Sequence, residues 1–399
     1  MKSALTKITA RSTRGLRGAQ IATACAAFAM LVACGGSDNN NNNSSSNTPP
    51  GGVTLQVVSF GDSLSDVGTY SPFASANFGG GRFTTNPGQI WVQNIAQYYG
   101  GTATPAQTGG FGTPLTPAGG YGYGQGGSRV TLQPGIGHAP VGTPNADFAE
   151  ATTIPVNDQV TEYLTAHGSF NGNQLVLLNG GADDILYNLG VVQATAAAAQ
   201  AAAQAGTITP AAAQAEVAAA TAAATAAISQ AALDFAAVIG RIVQSGATHV
   251  VVASVPDIGK TPQGVMSADG GVALTQSSQL FNGTLQAALA QSGLTSKILY
   301  IDTYDWLDSI TANYQANGFT VSNTGTACNL AAMTAAATKL NEPDPSAFAT
   351  SLFCSPQTLT VPGADQTYMF ADTVHPATHL YVLFTTYVEQ QIAKSGLGK

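Results

Sequence analysis

Four short stretches of the chain are nearly continuous in Val, Leu, Ile and Tyr: residues 54–60, 174–179, 249–255 and 297–302. Runs of this kind, without regular polar alternation, fit strands covered on both faces, as in a parallel sheet. A Gly or Pro follows most of them within a few residues, and helical or irregular stretches lie between them. That alternation predicts an α/β fold with a doubly wound, mainly parallel sheet and helices on both faces. Folds of this class place their sites beyond the carboxyl ends of the strands.

Between the strands the pattern changes character. Residues 71–150 are rich in Gly, Pro and Thr with little periodicity and read as long loops, which in a compact domain are often functional. Residues 192–236 are almost entirely Ala, Gln and Thr, broken by Gly206-Thr207-Ile208-Thr209-Pro210. This predicts two helices, with Thr209 capping the second and Pro210 in its first turn. Small side chains bury little area, so the pair reads as a thin surface hairpin, either an elongated structural element or a mobile cap near the site. Residues 377–394 carry Leu380, Leu383, Phe384, Tyr387, Val388 and Ile392 on one helical face and should pack on the sheet, with Pro376 suited to the helix start.

The first 33 residues have another purpose. Lys2, Lys7, Arg11, Arg14 and Arg17 precede a short apolar segment over residues 21–33, the layout of an export signal. The signal ends in Leu31-Val32-Ala33-Cys34-Gly35, which resembles the lipobox of bacterial lipoproteins. The resemblance implies an acylated Cys34 holding the protein at a membrane, with ordinary cleavage at small residues as the alternative. By the family's habit, Gly35 leans towards an outer-membrane lipoprotein facing the periplasm or the surface; release from the cell is the alternative. Residues 34–52, with their Asn/Ser run, read as a flexible tether, and residues 53–399 as the folded domain. No run of about 18 or more apolar residues follows the signal.

Removing the signal changes the charge. Five of the 13 Lys+Arg leave, so eight face 21 Asp+Glu, a net of −13. A body this acidic is a poor partner for nucleic acid or for anionic membrane surfaces. Of the four cysteines, Cys25 belongs to the signal and Cys34 to the lipid site. In an exported protein the remaining Cys328 and Cys354 read as a disulfide rather than a metal pair, worth roughly 3 to 4 kcal/mol; two free buried thiols are the alternative.

Chemistry concentrates at two places. Gly61-Asp62-Ser63-Leu64-Ser65-Asp66 follows the first strand directly, which puts Ser63 in a tight turn beyond a strand end. Asp372-Thr373-Val374-His375-Pro376 supplies an acid and an imidazole three residues apart, close enough for the carboxylate to bond one ring nitrogen while the other faces a hydroxyl. Together they can furnish a nucleophile, a general base and an orienting acid. A competing reading makes Asp372, His375 and His379 metal ligands; no HExxH pattern supports it. His138, His167 and His249 read as structural.

These motifs resemble those of the GDSL-type esterases of the SGNH hydrolase family. Residues 61–66 match the nucleophile block. Gly81-Arg82-Phe83-Thr84, running on to Trp91, resembles the segment that follows it. Gly126-Gly127-Ser128-Arg129-Val130, Gly181-Ala182-Asp183-Asp184 and Val255-Pro256-Asp257-Ile258-Gly259 resemble the later blocks, and residues 372–376 the last. The blocks occur in family order across residues 53–385. The absence of GxSxG sets the chain apart from the α/β-hydrolase fold.

The resemblance implies a three-layer, flavodoxin-like α/β/α sandwich and a serine esterase needing no metal or organic cofactor. Ser63, His375 and Asp372 would form the triad, and the oxyanion hole would use the N–H groups of Ser63 and Gly127. One position departs from the pattern: Asp183 stands where the family carries Asn, the third oxyanion donor. An ionised carboxylate there would repel the oxyanion, so the expectation is a protonated Asp183, or a hole reduced to its two amides. The expected function is a monomeric carboxylic ester hydrolase of the cell envelope or exterior acting on acyl or lipid esters. A polysaccharide O-deacetylase and a non-catalytic, lipid-anchored binding protein are the alternatives.

Overall fold

The computed structural model describes residues 48–397. The signal expected over residues 1–33, Cys34 and most of the tether lie outside the described residues. Within the described part the strands are β1 (Gln56–Phe60), β2 (Gln107–Gly110), β3 (Thr113–Pro117), β4 (Gln174–Leu178), β5 (Val250–Ala253) and β6 (Leu299–Ile301). The four expected strands form one parallel sheet in the order β1-β4-β5-β6. Every residue of β4 and β5 is buried, which is why residues 175–178 and 250–253 read as unbroken apolar runs.

Alternate residues of these strands face two different cores. Val58, Phe60, Val176, Leu178, Val250 and Val252 meet Tyr163, Phe235, Ile239 and Phe281 from helices Val156–His167, Pro210–Gln244 and Val272–Gln291. Val57, Leu175, Leu177, Val251 and Ile301 meet Trp91, Ile95, Tyr381, Phe384 and Val388 from helices Trp91–Tyr98 and Thr378–Lys394. The result is the expected three-layer α/β/α sandwich. The helix over residues 377–394 packs on the sheet as its pattern required.

The far edge of β1 is not bare. Ser59 N–H donates to Tyr121 O at 3.0 Å, and Tyr123 N–H to Ser59 O at 2.8 Å, so a short parallel bridge at Gly122 extends the sheet beyond β1. The connections therefore run to one side from β1 and then return past it to β4, the flavodoxin-like order. The reversal lies between β1 and β4, and doubly wound sheets open a crevice at the carboxyl ends of such a pair.

Two loop expectations are corrected. Residues 71–150 contain helices Ser71–Phe78 and Trp91–Tyr98 and the antiparallel pair β2–β3. Only Ala74 of the first helix is fully buried, so its pattern is weak, and the second, although amphipathic, spans just two turns and is too short to stand out. The Ala-rich hairpin is also larger than its composition suggested, comprising helices Ala182–Gln204 and Pro210–Gln244. Thr209 Oγ1 accepts the Ala212 N–H at 3.2 Å and Pro210 opens the second helix, as expected.

The hairpin is not a cap over the site. The first helix has 23 residues, a rigid length of about 34 Å, so the tip lies that far from its starting turn at Asp183. The second helix is long and apolar enough by composition to cross a bilayer. Its buried residues, however, run from Ala224 to Ile242 and pack against the sheet core. Thr48 to Gly52, the end of the segment read as tether, packs on the domain: Gly51 N–H donates to Tyr98 O at 2.9 Å.

Candidate active site

At the end of β1 the chain turns sharply at Gly61, whose φ is +147°. A Cβ there would lie 2.1 Å from Asn179 Oδ1, so only glycine fits. Gln159 holds both sides of this peptide: Gly61 N–H donates to its Oε1 and its Nε2 donates to Gly61 O, each at 2.9 Å. Asp62 then caps the single turn Ser63–Ser65, accepting from Leu64 N–H at 3.0 Å and from Asn179 Nδ2 at 2.6 Å. Asn179 follows β4, and its Oδ1 accepts from Ser65 Oγ at 2.5 Å. These bonds tie the ends of β1 and β4 together at the reversal and leave Ser63 pointing into a cavity.

The other two candidates meet it there. Ser63 Oγ lies 2.8 Å from His375 Nε2. His375 Nδ1 lies 2.7 Å from Asp372 Oδ2 and 2.9 Å from Oδ1. Asp372 also accepts the N–H groups of Val374 at 2.9 Å, His375 at 2.8 Å and Ser351 at 2.6 Å. Burial alone would raise its pKa, but His375 and these donors together hold it below the usual carboxylate range. Asp372 therefore stays ionised while the imidazole is fixed with Nε2 towards the serine.

Ser351, absent from the sequence reading, reaches Asp372 from a segment tied down by the Cys328–Cys354 disulfide, the pairing expected of those residues. Replacing both cysteines by serine should lower stability by roughly 2 to 5 kcal/mol, measured by urea unfolding with and without reductant. Unchanged stability would show the bond to be incidental.

The oxyanion candidates Ser63, Gly127 and Asp183 line the same cavity. Gly127 has φ +83°, and a Cβ on it would lie 1.9 Å from Ile136 O. Neither its N–H nor that of Ser63 donates to another described residue. Asp66 positions the loop, accepting Gly126 N–H at 2.9 Å while its other oxygen takes the N–H groups of Gly68 and Thr69. The Tyr70 hydroxyl donates to Gly126 O at 3.0 Å.

Asp184 bonds Arg129 Nε at 3.1 Å and Val130 N–H at 2.8 Å, fastening the helix start to the same loop. Asp183 has no such partner: its Oδ2 is buried without a hydrogen bond. Burial, then the charges of Asp62 and Asp184, push its carboxyl well above the usual range against the pull of Arg129.

Other blocks serve as supports. Phe83 lies 4.9 Å from the His375 ring, and Thr84 Oγ1 donates to Pro376 O at 3.1 Å. Gln263 N–H donates to Thr373 O at 2.9 Å, steadying the same loop. The alternative metal set is not assembled, because His379 Nε2 pairs with Asn317 O at 3.0 Å and its ring packs on Phe319. His138 pairs with Ala139 O and His167 with the Tyr123 hydroxyl, in keeping with structural roles. Sequence reasoning missed Gln159, Asp66, Asn179 and Ser351; of these only Asp66, inside the nucleophile block, lay within a motif.

The cavity over Ser63 has a volume of about 730 Å³. A bonded serine, histidine and aspartate at the reversal point of a doubly wound parallel sheet define the geometry of a serine hydrolase. The chain belongs to the GDSL-like Lipase/Acylhydrolase family, whose model matches residues 57–385. Membership supports ester hydrolysis as its general activity. No curated protein sequence matches the chain.

Proposed function

We propose that the protein is a serine carboxylester hydrolase of the bacterial cell envelope acting on acyl or lipid esters through an acyl-enzyme. The observation that carries this reading is the unbroken relay from Asp372 through His375 to Ser63, with contacts of 2.7 and 2.8 Å. His375 takes the Ser63 proton as the hydroxyl oxygen attacks the ester carbonyl. The oxyanion rests on the N–H groups of Ser63 and Gly127 and on a protonated Asp183. Collapse breaks the ester C–O bond, and His375 gives its proton to the departing alcohol. Water, deprotonated by the same imidazole, then attacks the acyl-enzyme; the bond to Ser63 Oγ breaks, the acid leaves, and His375 returns the proton to the serine.

Attachment through an acylated Cys34 belongs to the same proposal, as does a monomeric state. It is supported by the lipobox-like sequence and by the polar segment between Cys34 and the domain. The largely apolar lining of the cavity favours acyl or lipid esters over acetylated polysaccharide.

The test is hydrolysis of p-nitrophenyl esters from acetate to palmitate, with a fluorophosphonate probe followed by mass spectrometry. Turnover together with probe on Ser63 is expected. A folded protein that neither turns over any ester nor takes the probe would support the binding-protein reading instead.

A further inference from the structure

Phe111 holds a backbone conformation that bulky residues avoid. It forms the turn between β2 and β3, flanked by Gly110 and Gly112, with φ +50°. Such strain persists where the surroundings over-determine it, and it tends to occur at functional sites. Here two bonds pin the turn: Phe111 N–H donates to Glu150 O and Gly112 N–H to Phe148 O, each at 2.8 Å. Rings pin the side chain. It stacks on Phe73 with centroids 5.1 Å apart, and it stands edge-on to Tyr70 at 5.5 Å and to Phe353 at 5.4 Å.

Those rings continue a row that starts at the triad. Phe83 lies 4.9 Å from the His375 ring, Tyr70 lies 6.4 Å from Phe83, and Phe111 comes next. All of them line the cavity that holds Ser63. Among the described residues no Lys or Arg lines it; beyond the rings and the groups gathered around Ser63 (Asp62, Asp183, Asp372 and His375), its ionisable groups are the carboxyls Glu150, Glu342 and Asp344. An anionic acyl group would lose water here and meet only carboxyls, groups of its own sign when ionised.

We propose, on the basis of the acyl-enzyme reading above, that this row is the acyl subsite and that Phe111 sets its length. The substrate's acid portion is then an uncharged, apolar chain running from Ser63 past Phe83 until it meets the Phe111 ring, with Tyr70 buried behind the two and holding them in place. The strained turn fixes that ring in the cavity wall against Phe73 and Phe353, and glycines on either side let the chain turn tightly enough to do so.

Phe111→Gly is the informative variant, since glycine adopts a positive φ freely and the turn keeps its shape without the ring. On the p-nitrophenyl ester series its kcat/KM for acetate should stay within about threefold of wild type. The optimum should move to longer chains, with the longest esters gaining about tenfold or more. Phe111→Leu, which fills part of the space, should fall between the two. A uniform fall across the series, or an unchanged profile, overturns the assignment.

A binding arm in the Ser63→Ala background separates the two levels of the argument. Calorimetric affinity for the same esters should rise with chain length and extend to longer chains when Phe111→Gly is added. Chain-length-dependent binding without turnover in the unmodified protein would sink the catalytic reading and leave the subsite standing. Ser63-dependent turnover with a flat affinity series would sink the subsite alone.

Discussion

Ser63→Ala should lower kcat on p-nitrophenyl esters by roughly 10⁵- to 10⁶-fold, with KM little changed, because the variant loses the hydroxyl bonded to His375. His375→Ala should cost about as much, and the double variant little more, since residues acting in one proton relay fail together. Asp372→Asn should cost about 10⁴-fold, for a reason visible in its contacts. The Asp372 carboxylate accepts from His375 Nδ1 and from the N–H groups of Val374, His375 and Ser351. An amide has one acceptor oxygen, so its NH₂ must face either an N–H donor or the imidazole, and the productive tautomer is lost. Residual activity above about 1% in Ser63→Ala would remove the serine from the mechanism.

The legible parts of this chain were those whose signal is local. Residues of β4 and β5 are apolar at successive positions because both faces are covered, and that pattern needs no knowledge of the fold. Asp372 and His375 sit within one short turn, so their relation could be read from spacing alone. The supports were invisible because their partners are remote. Gln159 acts on Gly61 from 98 positions away, and Asn179 acts on Asp62 from 117. Nothing in the neighbourhood of either residue marks it out.

The aromatic row was hidden for a related reason. Phe73, Phe111 and Phe353 come from a short helix, a hairpin tip and a disulfide-tied segment. Each looks in isolation like an apolar residue in a loop. Only the packing of residues 71–150 against residues 328–354 brings them together. The Ala-rich hairpin misled in the opposite direction: its conspicuous composition marks a projection away from the site, while its contribution to the cavity is the first turn, with Ala182, Asp183 and Leu186.

Asp183→Asn should separate from the wild type as the pH rises. The Asp183 carboxyl lies in the first turn of its helix, where the macrodipole favours an anion. Burial and the neighbouring Asp62 and Asp184 outweigh that preference and raise its pKa, while Arg129, which opposes them, is already bonded to Asp184. Below the raised pKa the group is neutral and its O–H can donate to the oxyanion as an asparagine amide would. Above it the donor becomes a charge facing a developing negative oxygen.

Wild-type kcat should therefore decline as the pH passes through that pKa, and the Asn variant should lack this decline. Asp183→Ala, with no donor at any pH, should lose roughly 100- to 1,000-fold in kcat. Stability follows the same sign. A group whose pKa is raised on folding stabilises the native state most at low pH, and that contribution is lost as the pH rises towards the folded value. Asparagine does not ionise, so the difference in Tm in favour of Asp183→Asn should widen between pH 5 and pH 8. Parallel pH–rate profiles for Asp and Asn, with the same Tm difference at both pH values, would mean that Asp183 is ionised throughout and that the two amides carry the oxyanion alone.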